Sequence, residues 1–143
     1  MSKIAVDRSK FKKAFHCHTQ AFKFLVNHNK SRNLLLFYAV ECGLKYLVLY
    51  EYRKNHSEYL FEENLFGGDG HDLISGLRHW RQASRSRLGE TPKHFKIKGF
   101  RNLFPFRSIH QAWRYGLQLE REDETHAVEW LKNLLQFIEE NLV

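Results

Sequence analysis

The segment LLLFYAVECGLKYLV, residues 34–48, decides the fold. Its apolar members Leu34, Leu35, Leu36, Phe37, Ala39, Val40, Leu44, Leu47 and Val48 cover most of a helical wheel. A helix apolar on so many sides is packed by neighbours on several faces, which makes it the central element of a helical domain. Ser31 can cap its start, and the pattern runs to about Tyr52. Ala39 and Gly43, four apart on one face, would let another backbone come close.

Toward the N-terminus, from about Asp7 to Asn29, Phe11, Phe15, His18, Phe22, Leu25 and Val26 recur at steps of three and four. Lys10, Lys12, Lys13 and Lys23 fall mostly elsewhere on the wheel, so this is an amphipathic helix. Toward the C-terminus, residues 58–66 suit a helical turn or two, and Gly-Gly-Asp-Gly at 67–70 is a turn. Asp72 then caps a third helix with Leu73, Ile74, Leu77 and Trp80 facing inward. Residues 84–109, punctuated by Gly89, Pro92, Gly99 and Pro105, are irregular, with HFKIK at 94–98 as a short extended piece. In the closing helix Asp123 is the expected N-cap, and Ala127, Val128, Leu131, Leu134, Leu135, Ile138 and Leu142 mark one inward face. The expectation is one all-α domain over residues 1–143. Its form would be an up-and-down bundle of four to five helices with a long irregular connection around 84–109.

Bulk composition agrees. A chain of 143 residues suits one domain with a real core, and two prolines with eight glycines disfavour an all-β or loop-rich fold. No apolar stretch is expected to approach the roughly 20 residues that cross a bilayer. The start, MSKIAVDRSKFKKAF, lacks the apolar core of a secretory signal. A cytoplasmic protein without membrane contact is the expectation. Cys17 and Cys42 read as reduced, buried, small apolar residues. His16, Cys17 and His18 diverge by about 100° per residue on a helix and cannot share an ion. The 67–70 turn lacks the Lys-Ser/Thr of a phosphate loop, so neither metal nor cofactor is expected.

Charge is segregated within the net +7. Residues 1–56 carry eleven Lys/Arg against three acids, and 57–77 carry five acids and no bases. Residues 78–114 carry ten bases against one acid, and 115–143 two bases against seven acids. The basic 78–114 stretch, with Arg78, Arg81 and Arg85 at its start, is a candidate contact for nucleic acid or an acidic partner. Within it, Arg107, His110 and Arg114 share a face if helical. Beside Trp113 and Tyr115 they would bind a phosphate or stack a base. Packing and ion pairing account for the same residues without a ligand.

The string FYAVECGLKYLVL at 37–49 looks like the second helix of the HEPN superfamily, small helical bundles of prokaryotic toxin–antitoxin, phage-defence and CRISPR-associated systems. GHDLISGL at 70–77 is similar to the His-Asp-Leu opening of a later helix in many members, and WRYG at 113–116 resembles their Arg-Tyr element. The resemblance implies a helical bundle that commonly dimerises, with RNA or a protein from the same operon as its partner. In catalytic branches it implies metal-independent RNA cleavage by Arg-x4–6-His near the start of the last helix, which Arg121 and His126 satisfy. Arg87 and His94 satisfy the same spacing, and roughly two such hits are what chance supplies. Only position singles out Arg121 and His126, and Glu122, Asp123 and Glu124 beside them would repel an RNA phosphate. The expectation is therefore a non-catalytic HEPN-like binding or assembly module; the alternative is an endoribonuclease toxin using Arg121 and His126.

Overall fold

In a computed structural model the described residues are 5–25, 30–83 and 85–142, the side chains of residues 85 and 86 excepted. Three long helices dominate: α1 (Arg8–Phe24), α2 (Lys30–Glu51) and α7 (Arg121–Asn141). Between the last two come α3 (Glu58–Glu62), α4 (Leu73–Arg78), α5 (Arg85–Leu88) and an antiparallel hairpin of β1 (His94–Lys96) and β2 (Leu103–Pro105). A 3-10 turn at Phe106–Ser108 then leads into α6 (Ile109–Arg114).

Helix α2 is central, as its pattern requires. It touches α1, α3, α4, α6 and α7, and Leu36, Phe37, Ala39, Val40, Leu44, Val48 and Leu49 are wholly buried. Each of these side chains larger than alanine contributes about 1.5–3 kcal/mol of hydrophobic stabilisation before entropy is counted. By length and composition α2 would also cross a membrane, contrary to the sequence expectation, but 72% of that window is buried inside the protein. A helix covered on all sides needs no polar face, which is why the two kinds of helix share one composition.

Gly43 marks where the three long helices meet. A Cβ added there would lie 2.5 Å from Phe15 Cδ1 on α1 and 2.7 Å from Ile138 Cγ2 on α7. The close approach expected at this face is therefore made by side chains. Asn33 and Val128 line one groove at the other end of the same helix pair, while Leu47 and Tyr50 share a second with Asn141. Helices α2 and α7 thus run side by side in the same direction. Simple up-and-down alternation does not allow that pairing; it needs a crossover, supplied by residues 52–120.

Local chemistry sets the helix starts. Asp72 Oδ1 accepts from Ser75 N at 3.1 Å, the cap read from sequence, and Asp7 Oδ1 caps α1 in the same way, accepting from Lys10 N at 3.2 Å. Asp123 is not the cap of α7. The helix begins earlier, after Glu120, whose side chain makes no capping bond. Asp123 Oδ2 instead accepts from Lys96 N in β1 at 2.7 Å. Ser31 likewise lies inside the first described turn of α2, and the expected extension of α1 through Val26 to Asn29 falls outside the described residues. Cys17 corrects another expectation. It is exposed, because Phe15, Thr19 and Phe22 carry the buried face of α1; Cys42 is largely covered, and burial beside Glu41 pushes its thiol up to about 12.

Candidate nucleic-acid interface

From residue 91 to residue 119 the chain contains no Asp or Glu, and the cations in that run are Lys93, Lys96, Lys98, Arg101, Arg107 and Arg114. The hairpin gives four of them a shape. Alternation along 94–98 turns Phe95 and Ile97 into the core and leaves His94, Lys96 and Lys98 outside. Gly99, at φ +87°, makes the turn after Lys98 that a residue with a Cβ would resist. Phe95 and Phe104 stack across the strands with centroids 5.8 Å apart, and Phe100 packs edge-on to Phe104 at 5.9 Å. Phe100 nevertheless stays 52% exposed, and Leu103 56%. Among the described residues Lys93, Lys96, Lys98 and Arg101 form no ion pair. The product is an exposed basic turn, without ion pairs among the described residues, beside a half-exposed aromatic ring.

The body of the protein holds this turn firmly. Lys98 N donates to Gln118 O at 2.8 Å and Glu120 N to Lys96 O at 2.9 Å. Ile97 and Leu119 form an isolated antiparallel bridge, so the segment before α7 lies beside β1 as a partial third strand. Together with the Asp123 bond these contacts fix the hairpin on the start of α7.

The residues singled out from sequence are dispersed. Arg107 and Arg114 are exposed, whereas His110 is 3% exposed and stacks on Phe37 with centroids 5.1 Å apart. The three do not present one open face. Arg107 lines a cavity of about 370 Å³ with Gly67, Gly68, Asp69 and Asp72, which places it beside carboxylates. Arg78 is exposed, and Arg81 is exposed with its backbone N–H donating to the Glu51 carboxylate at 2.9 Å. The Arg85 side chain lies outside the described residues. Arg121 and His126 also separate. Five residues of helix place them about 140° apart. Arg121 lines the groove against α2, while His126 Nε2 meets the Glu90 carbonyl at 2.6 Å.

Sequence reading missed a polar cluster under α2. Glu41 and Lys45, 8% and 9% exposed at their side chains, pair at 3.5 Å, and Glu41 Oε2 meets His71 Nδ1 at 2.6 Å. The His71 and His110 rings lie 4.5 Å apart. Burial first, and then His71, hold the His110 imidazole below its usual value; the nearby carboxylates Glu41 and Asp69 partly oppose this. Burial lowers His18 in the same way, against Glu41. Nδ1 of His110 has no aligned hydrogen-bond partner in the described structure. The available signal was Glu41 and Lys45 at i,i+4 within an otherwise apolar helix. Among the described residues no group of three or more His, Cys, Asp or Glu side chains is arranged to hold a metal ion. No family model, curated protein or solved structure matches this chain.

Proposed function

We propose that this chain is a non-catalytic, HEPN-like binding module of a bacterial defence or toxin–antitoxin system that contacts single-stranded nucleic acid through its 93–104 hairpin. The observation that carries the reading is the hairpin itself: Lys96, Lys98 and Arg101 without ion-pair partners among the described residues, around the half-exposed ring of Phe100. Phosphates require cations that no carboxylate has already neutralised, and a base requires a free aromatic face. The resemblance of residues 37–49, 70–77 and 113–116 to HEPN segments supports the family part of the reading. The separation of Arg121 from His126 supports its non-catalytic part, since His126 is occupied by a backbone carbonyl.

Binding of a fluorescent single-stranded RNA, measured against salt, tests this. Each phosphate contact contributes about 0.7 to the slope of log K against log salt, so Lys96, Lys98 and Arg101 changed together to Gln lower the slope by about 2. Phe100→Ser weakens binding at every salt concentration with little change in slope. Unchanged affinity and slope in both variants would sink the assignment. Incubating the protein with total RNA in EDTA checks the non-catalytic part. Cleavage abolished by His126→Ala would replace this reading with the ribonuclease one.

A further inference from the structure

A groove of about 550 Å³ runs between the first described turn of α2 and the N-terminal half of α7. Because these helices run in the same direction, the positive ends of both dipoles lie at one end of the groove. Asn33, on its wall, is 6% exposed, and its side chain makes no hydrogen bond among the described residues. Lys30, Arg121 and Lys132 line the same groove, none of them in an ion pair among the described residues. The start of α7 has no side-chain cap, and one of its first-turn acids, Asp123, is engaged elsewhere on Lys96 N; Glu124 accepts from Trp113 Nε1 at 3.1 Å and keeps its charge on the groove wall.

We propose that this groove binds a carboxylate-bearing peptide segment of a partner protein, its carboxylate held by Arg121 and the neighbouring lysines and its peptide group by Asn33. A buried carboxamide offers one acceptor and two donors, the complement of a peptide N–H and C=O. Helix starts and basic side chains capture carboxylates in the same way. A nucleotide fits the groove less well. No aromatic side chain lines it to stack a base, and Glu124 and Glu129 on its walls oppose a doubly charged phosphate more than a singly charged carboxylate. This site is separate from the hairpin and does not rest on the nucleic-acid reading.

Amide NMR of the full chain, titrated with N-acetylglycine, reads the proposal directly. This probe is the smallest that joins a peptide group to a carboxylate. The Asn33 side-chain amide and the Arg121 and Glu122 backbone N–H signals should shift together in the millimolar range, and N-acetylglycine amide should leave them in place. N-acetylaspartate bearing amides at its main-chain end distinguishes a side-chain carboxylate from a chain terminus; the tighter probe identifies the source. Arg121→Gln with Lys132→Gln should weaken binding about tenfold, the scale of a charge-assisted contact. Asn33→Leu should remove the preference for N-acetylglycine over acetate. If that variant fails to fold, the double surface variant decides alone. Absence of shifts with both carboxylate probes, or unchanged affinity in the double variant, overturns the proposal. So does AMP moving the same signals at lower concentration, which would assign the groove to nucleotides. None of these results bears on the hairpin variants, whose readout is RNA.

Discussion

At the middle of α2, Glu41 and Lys45 hold opposite charges 3.5 Å apart with less than a tenth of either side chain exposed, and His71 closes on the same carboxylate. At the hairpin tip, Lys98 and Arg101 stand in solvent beside an exposed Phe100 with no ion pair among the described residues. The first region has satisfied its charges internally, so its effect is on stability. The second has left them unsatisfied, so its effect is on binding. Substitution separates the two, from the largest expected loss to the smallest.

Glu41→Ala strands Lys45 in the core and should cost about 3–5 kcal/mol in urea unfolding. Glu41→Leu with Lys45→Met, which removes both charges, should cost much less than the single change. If the two were equal, the pair would not be what Glu41 contributes. Gly43→Ala comes next. Alanine improves helix propensity by about 1 kcal/mol, but the clash with Phe15 and Ile138 should leave a net loss of about 1–3 kcal/mol. A stabilised variant would show that the helices can separate at this point. The hairpin triple Lys96, Lys98 and Arg101 to Gln should change stability least, within about 0.5 kcal/mol per site, while changing RNA binding most.

Acid tests the buried region differently. His110 and His18 titrate below their usual value in the folded state, so between that lowered value and about 6.5 the unfolded chain binds more protons. Stability from these groups is fully present above about pH 6.5 and falls as pH drops below it. The melting temperature should therefore decline on acidification through this window, and less steeply in His110→Leu. A flat profile would place both imidazoles in water.

The sequence made the three long helices legible because their apolar periodicity reports burial directly. Phe15, Phe22, Leu44, Ala127, Leu131 and Ile138 are all inside. Trp130 and Phe137 on α7 are inside as well, though neither belongs to the inward stripe read from sequence. Contacts from Phe106 and Trp80, residues far away in sequence, cover them. The start of α7 was misplaced at Asp123 because a cap and a tertiary acceptor demand the same side chain, and only the position of Lys96 decides between them. The candidate interface was legible as charge and illegible as shape. The 78–114 excess of bases points to the region and HFKIK at 94–98 to an extended piece, but its partner strand at Leu103–Pro105 is too short to announce itself. His110 was drawn inward by Phe37 and His71, partners that no local spacing reveals.

The same-direction pairing of α2 and α7 sets an order of assembly. Helices α1 and α2 adjoin in sequence and can associate as soon as both exist. The stripe of α2 that receives Ile138 must wait until residues 52–120 have been synthesised and folded back. At ordinary rates of translation that wait is on the order of ten seconds. During it the nascent chain displays its most apolar helix with one side open, a natural stage for chaperone capture.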